Sequence, residues 1–262
     1  MSKRIFICKY LHMAIGLVLT AVACGGFIGA VLGFIGAGGA MVSVPILLYL
    51  FDFTPIHATT ASLAIVFLAA VSGLEPKFKS KDVLIREALI IWALGLVTNI
   101  GFGLIIAKIA DQVILIGFSM VLVAAGYSML RAPIKNQPER SMSLPALVLL
   151  SLLIGTLTGL FGIGGGFLAI PILVLFFNTP QNKAAGTSLL IIALNCMTAF
   201  IAKNSIWTEI NWHYPAIIAL SAVLISRVTS KLAPTVPTVH LKRGFAVLLF
   251  TIATFTVLTR AV

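Results

Sequence analysis

Acidic residues are scarce in this sequence. Seven Asp and Glu stand against 18 Lys and Arg in 262 residues, and charged residues of both signs make up only 10%. A water-soluble domain carries about a quarter charged residues, so these few cannot cover a water-facing surface. Cysteine is sparse too. Cys8, Cys24 and Cys196 form no CxxC pair and no metal-ligand spacing, which excludes a zinc module; each reads as a small apolar packing residue. His12, His57, His213 and His240 are scattered, with no zinc motif and no nucleophile–base pair. No clustered catalytic set is present, so the chain does not read as an enzyme and calls for no cofactor. Nucleotide motifs are also missing. A phosphate-binding loop needs Gly-Lys-Ser or Gly-Lys-Thr after its glycines, whereas Gly39 is followed by Ala40-Met41. With so few acids, proton coupling through a buried carboxylate has no evident carrier.

What is present is apolar: 60% of residues, with a mean hydropathy of +1.13. That much apolar surface requires lipid. The net charge of +11 would suggest nucleic acid in a soluble protein. Here the basic residues sit in short gaps between apolar runs, without a basic face of interleaved aromatics. Membrane topology, with basic residues held on the cytoplasmic side, explains them better. Lys3, Arg4 and Lys9 precede an apolar run as in a signal peptide, and Ala21-Val22-Ala23-Cys24 resembles a lipoprotein cleavage site. The apolar character continues through Phe51 with more spans beyond it, which reads as an uncleaved first helix.

A membrane helix needs about 20 apolar residues. Long candidate spans run from about Met13 to Ile35, Ile56 to Gly73, Val83 to Ala107 and Val113 to Leu130, then Leu144 to Phe161, Ala184 to Ala202, His213 to Leu232 and Arg243 to Leu258. Between the two sets lies a polar stretch holding Arg131, Pro133, Lys135, Asn136, Gln137, Pro138, Glu139 and Arg140. The expected organisation is a first transmembrane repeat over 1–130, a linker over 131–143 and a second repeat over 144–262. Two further apolar stretches, about Met41 to Phe51 and Phe167 to Phe177, are too short. Each holds a proline, Pro45 or Pro171, after a glycine cluster. Eleven helical residues cover only about 16 Å, so each reads as a re-entrant or broken helix. The fold class is thus an all-α polytopic membrane protein of about eight transmembrane helices. If the Pro45 stretch does not cross, the basic clusters at the N-terminus, around Lys77 to Arg86 and in the linker share one side, with both termini cytoplasmic. A crossing Pro45 stretch would give ten spans and invert the second half; the charge pattern argues against it.

The strongest feature is self-similarity at an offset of 126. Residues 29–66 align on 155–192 without a gap, with 13 of 38 positions identical. Five glycines pair (Gly29, Gly33, Gly36, Gly38 and Gly39 with Gly155, Gly159, Gly162, Gly164 and Gly165). Pro45-Ile46-Leu47 pairs with Pro171-Ile172-Leu173, and Ala58, Ser62 and Leu63 with Ala184, Ser188 and Leu189. Shared hydrophobicity alone would not align five glycines and a proline. Repeats of this kind mark secondary transporters, in which two similar units rock about a site near mid-membrane.

The glycines divide by role. Gly29, Gly33 and Gly36, like Gly155, Gly159 and Gly162, are spaced by four and three, which puts them on one helix face for close backbone packing. Gly38 and Gly39, with Gly164, Gly165 and Gly166, are places where the chain can leave a helix, since positive φ costs glycine little. A short helix starting there exposes unpaired N–H groups, and an anion facing two such starts would satisfy them. A tight turn satisfied by neighbouring side chains is the plain alternative.

Other polar residues qualify more weakly. Lys77 falls opposite Lys203 in the repeat. The pair either flanks an anion route or anchors helix ends with snorkelling stems. Arg227 and Lys231 lie in an apolar span near its end, where intramembrane cations are functional candidates. Ser62, Thr187, Ser188 and Asn195 offer hydrogen bonds beside the interruptions, and Asn99 interrupts the fourth segment.

At this point the residues carry a family likeness. The paired Gly-x-Gly-Gly and Pro-x-Leu elements, with Lys183-Ala184-Ala185-Gly186-Thr187-Ser188-Leu189, resemble the TauE/SafE family of sulfite exporters over nearly the whole chain. The first half departs, since Ala58-Thr59-Thr60-Ala61-Ser62-Leu63 lacks the Gly-Thr of the pattern. The resemblance implies a plasma-membrane permease, usually an exporter, for small anions such as sulfite or organosulfonates. The candidate substrate residues are then Gly36, Gly38, Gly39, Pro45, Ser62, Gly162, Gly164, Gly165, Gly166, Pro171, Thr187, Ser188, Asn195, Lys203 and Arg227. Partners are the small anion and the bilayer, with no nucleic acid; the many small residues are compatible with a homodimer. The alternatives are a transporter of a non-sulfur organic anion, and a membrane assembly protein that would keep the packing glycines without needing the Gly38 and Gly164 turns.

Overall fold

A computed structural model of the chain describes residues 2–130, 144–162, 164–166, 169–170, 173–174, 179–235 and 238–258. The 131–143 linker and Pro171 lie outside the described residues. Within them all regular structure is helical. Nine α-helices have described bounds: α1 Ser2–Ile35, α2 Gly39–Leu50, α3 Pro55–Lys79, α4 Ile85–Ile105, α5 Asp111–Leu130, α6 Leu144–Phe161, α7 Gln181–Ala202, α8 His213–Leu232 and α9 Thr238–Leu258. Five stretches are long and apolar enough to cross a membrane: Ile15–Ile35, Pro55–Lys79, Ile85–Ile105, Asn182–Ala202 and His213–Thr235. Met41–Leu50, Gln112–Tyr127 and Leu147–Phe161 are shorter apolar helices.

Local chemistry sets the ends of α3. Thr54 caps its start, accepting the His57 N–H on Oγ1, and Pro55 supplies the fixed φ of a first helical turn. At its end Lys81 takes a left-handed φ of 59°. The Lys81 N–H donates to the Phe78 carbonyl and the Asp82 N–H to the Lys77 carbonyl, the paired bonds of a Schellman motif.

Glycine faces fix how the helices pair. Gly25 of α1 meets Ile218 and Ser221 of α8, Gly29 meets Ala222, and Gly33 meets Ser226 and Ser230. Residue numbers rise together, so α1 and α8 run in the same direction. α6 packs on α4 in the same way, Gly155 against Gly95 and Gly159 against Asn99 and Gly103. A methyl group on Gly29 or Gly155 would overlap the carbonyl oxygen of Ala222 or Gly95, which is why these faces accept nothing larger. α3 lies parallel to α8, with Ser226 Oγ donating to the Ala69 carbonyl at 2.9 Å and Ser230 Oγ to the Gly73 carbonyl at 2.6 Å. α4 lies parallel to α7, with the Leu84 N–H donating to Thr187 Oγ1 near both starts and Asn99 bonded to Asn195 further along.

α3 and α7 run in opposite directions. Asp82, just past α3, rests on Gly186 near the start of α7. His57, near the start of α3, bonds Glu209, just past α7, at 3.3 Å. The bundle thus has an Asp82 end and a Glu209 end. α1, α3 and α8 point towards the Asp82 end; α4, α6 and α7 point towards the Glu209 end.

These directions correct the expectation that the Pro45 stretch does not cross. Because α1 and α3 point the same way, residues 36–54 carry the chain back between them. α2 does this, and Phe51 behind it meets Tyr214, at the start of α8, with ring centroids 4.9 Å apart. α6 and α7 also point the same way as each other. Phe118, early in α5, meets Phe161 at the end of α6, and Phe255, late in α9, meets Tyr49 of α2. So α5 starts and α9 finishes at the Glu209 end, where α1 also starts. Lys77 and Lys203, paired in the repeat, lie at opposite ends.

Candidate functional site

The breaks are built from backbone that only glycine adopts readily. Gly36 and Gly38 have φ of 75° and 85°; Gly162, Gly164 and Gly165 have φ of 67°, 72° and 67°. Gly36 and Gly162, read from spacing as packing residues, are therefore also helix-ending turns. Each closes its helix identically, the Gly36 N–H donating to Leu32 O at 2.8 Å and the Gly162 N–H to Thr158 O at 2.9 Å. α2 then starts at Gly39, whose backbone lies against Leu32, and carries Pro45 inside it. Proline there removes one backbone bond.

Each break rests on the third helix of the opposite half. Gly36 packs on the backbone of Ala185 in α7, and Gly162 on that of Thr59 in α3. Ala185 lies level with the Lys77 end of α3, so about 18 residues of α3, roughly 27 Å, separate the two breaks. Two helix starts converging on one anion is therefore not the arrangement found. Between them runs the antiparallel seam of α3 and α7, flanked by α4 and lined with buried polar side chains.

Most of those side chains are committed to the fold. Ser62 bonds Ser43 of α2, oxygen to oxygen. Ser188 Oγ donates to the Gly166 carbonyl at 2.8 Å, tying the second break to α7. Thr187 Oγ1 donates to Lys183 O and accepts the Leu84 N–H, so it caps the start of α4. Asn195 donates to Ile191 O and accepts from Asn99. Arg227 is set apart: its side chain is 54% exposed and paired with Glu75 at 2.6 Å, away from both breaks. A groove of about 730 Å³ between α5 and α9 is lined by apolar groups such as Ile116, Met120 and Phe250, and contains none of the residues singled out from the sequence. No three His, Cys, Asp or Glu converge on a metal position among the described residues.

The lysines separate the two halves. Lys77 and Lys203, repeat partners, are both only 2% exposed. The Asp82 carboxylate provides Lys77 with a counter-charge. Glu209, the acid that follows Lys203 as Asp82 follows Lys77, bonds His57 instead, and the Lys203 ammonium has no hydrogen-bond partner among the described residues. Burial of Lys77 escaped the sequence reading because it sits in a basic run. Asn99 was legible only as a polar interruption; its place in the seam needed the fold.

Comparison with known proteins is consistent with these features. The family model described as Sulfite exporter TauE/SafE matches residues 21–256. A "Probable membrane transporter protein" of Xylella fastidiosa is 30% identical over 187 residues, covering 68% of this chain and 70% of that one. A protein of the same description from Methanocaldococcus jannaschii is 30% identical over 192 residues, 70% of this chain and 72% of its own. One from Bacillus subtilis is 29% identical over 217 residues, 71% and 77% of the respective chains. No solved structure matches the chain.

Proposed function

The chain belongs to the TauE/SafE family of sulfite exporters, a family of membrane transporters, and we propose that it is a secondary transporter of small sulfur-containing anions that works by alternating access between two inverted repeats. The observation that carries this reading is the exchange of contacts between the halves. α1 on α8 corresponds to α6 on α4, and α3 on α8 corresponds to α7 on α4. The Ser226–Ala69 bond corresponds to Asn99–Asn195, and Gly36 on Ala185 to Gly162 on Thr59. Every corresponding pair runs in the opposite sense. Inverted repeats with broken helices at matching places are the architecture of rocking transporters, and imply ten crossings with the site in the α3–α7 seam.

The charges then favour one orientation. A cytoplasmic N-terminus and a cytoplasmic 131–143 segment cannot coexist if the termini lie at the Glu209 end. Lys79, Lys81, Arg86 and Arg243 belong to the Asp82 end, where the chain also leaves α5 for Arg131, Lys135 and Arg140. We place that end in the cytoplasm and the termini outside, with efflux as the direction the family description suggests.

The test is flux in reconstituted vesicles, comparing sulfite, thiosulfate, sulfate and a small sulfonate with a carboxylate of similar size. Movement of sulfur anions without the carboxylate is expected. Folded protein that moves none of them defeats the reading.

A further inference from the structure

Four buried side-chain nitrogen or oxygen atoms lack a hydrogen-bond partner among the described residues: Tyr49 Oη, Trp92 Nε1, Asn99 Oδ1 and Lys203 Nζ. The last two lie in one seam. Asn99 of α4 is fully buried. Its two Nδ2 hydrogens are shared among three acceptors, Asn195 O at 3.0 Å, Asn195 Oδ1 at 3.1 Å and Thr198 Oγ1 at 2.9 Å. Three acceptors fix the amide nitrogen there, so its oxygen points elsewhere without a donor. Gly103 is one turn further along the same face of α4, and the Lys203 stem runs past it, with Cε 3.9 Å from where a Gly103 Cβ would stand. On α7, Lys203 follows Thr198 by five residues. The Lys203 stem thus passes the α4 face one helical turn from Asn99, and both side chains carry an unpaired polar atom.

Gly103 is the least crowded glycine of this seam, and no acid pairs with Lys203 among the described residues. A Cβ on Gly95, Gly155 or Gly159 would overlap backbone, whereas one on Gly103 would meet nothing nearer than 3.9 Å. The acid nearest in sequence, Glu209, is exposed and bonded to His57. The repeat-related location differs: the Asp82 carboxylate lends Lys77 a nearby counter-charge, and Ser226, which packs where Asn99 does, donates to Ala69. A buried ammonium without a counter-ion is strongly disfavoured. Its retention in one half only, beside an orphan acceptor, calls for a ligand that brings both a negative charge and a hydrogen.

We propose that Lys203 and Asn99 form an anion-binding site between α4, α6 and α7, which takes a small monoanionic oxyanion carrying one O–H or N–H. The ammonium donates to the anion's oxygens and Asn99 Oδ1 accepts the ligand's hydrogen. This rests on the transport reading above and narrows it, favouring hydrogensulfite or a hydroxysulfonate over sulfate, which offers no hydrogen.

The experiment measures sulfite and sulfate binding at pH 6, by titration calorimetry, and sulfite flux for wild type, Lys203→Met and Gly103→Ala. Wild type is expected to bind sulfite at least tenfold more tightly than sulfate. Lys203→Met should weaken sulfite binding at least tenfold and raise the KM for flux, while melting no lower than wild type without ligand, since an unpaired buried charge is gone. Gly103→Ala keeps the fold but fills the space beside Lys203, so its sulfite affinity should fall several-fold; it decides the matter if Lys203→Met does not fold. Wild type that binds and moves sulfite, with both variants equal to it, overturns the site and leaves the transport reading standing. Wild type that neither binds nor moves sulfite overturns both.

Discussion

Replacing Gly162 by alanine tests the geometry of the breaks. At φ 67° an L-residue is strained, by about 1–2 kcal/mol. The added methyl would also stand 2.6 Å from the Thr59 carbonyl oxygen, a backbone atom of the neighbouring helix, and overpacking of that kind costs about 1–3 kcal/mol. The lost freedom of the unfolded chain returns about 0.4–1 kcal/mol. The net expectation is a loss of about 2–4 kcal/mol. At about 2–4 °C per kcal/mol for a chain of this size, the apparent melting temperature in detergent should fall by about 4–16 °C. Gly36→Ala provides an internal comparison. Its φ is 75° and the new Cβ would meet Ala185 backbone at 2.8 Å, so its drop should match to within about 1 kcal/mol. Gly103→Ala is the opposite control, an uncrowded helical glycine where alanine gains up to about 1 kcal/mol. A Gly162→Ala protein melting within 1–2 °C of wild type, as estimated against these costs, would refute both the left-handed turn and the contact with Thr59.

Three further outcomes follow from the same contacts. Single cysteines at Lys81 and at Ser205, in a background lacking Cys8, Cys24 and Cys196, should react with impermeant maleimide from opposite faces of the membrane; labelling from one face would return the repeats to a parallel arrangement. Asn99→Ala should cost about 1–3 kcal/mol by removing the two hydrogen bonds its amide nitrogen can donate to Asn195 and Thr198, measured as a melting shift, whereas an unchanged melt would show that α4 and α7 are not joined there. Glu75→Gln breaks an exposed cluster with Arg227 and Lys79, and should leave the melting temperature and flux unchanged; lost flux would bring Arg227 back into the substrate route.

Much of the architecture was readable from residue pattern alone. Helix positions follow from apolar run length, and the breaks at Gly38 and Gly164 follow from clustered glycines whose φ is positive. The direction of the chain after those breaks was not readable. A twelve-residue apolar helix fits a re-entrant loop as well as a return across the bundle, and only the common direction of α1 and α3 decides between them. Counting basic residues misled for a related reason. Lys77 scores as an interfacial charge by sequence, yet it is buried beside Asp82. The four-and-three spacing of Gly29, Gly33 and Gly36 correctly marked a packing face, but could not show that its last member ends the helix. Lys203 and Asn99 lie about a hundred residues apart in sequence, so their shared seam appears only once α4 lies beside α7.

The interlocking of the halves also bears on synthesis. Gly25 of α1 packs on Ile218, a residue made roughly 190 positions later. At about 5–20 residues per second, the first helix waits about 10–40 s for its partner, its glycine face open to lipid or to insertion machinery. α6 differs, since α4 is already present when it emerges. The second half therefore grows onto a waiting template, while the first is completed only by nearly the last helix made. Truncation before α8 should leave α1 unpaired and the nascent protein exposed to membrane proteases, even though the missing residues form no part of the first half.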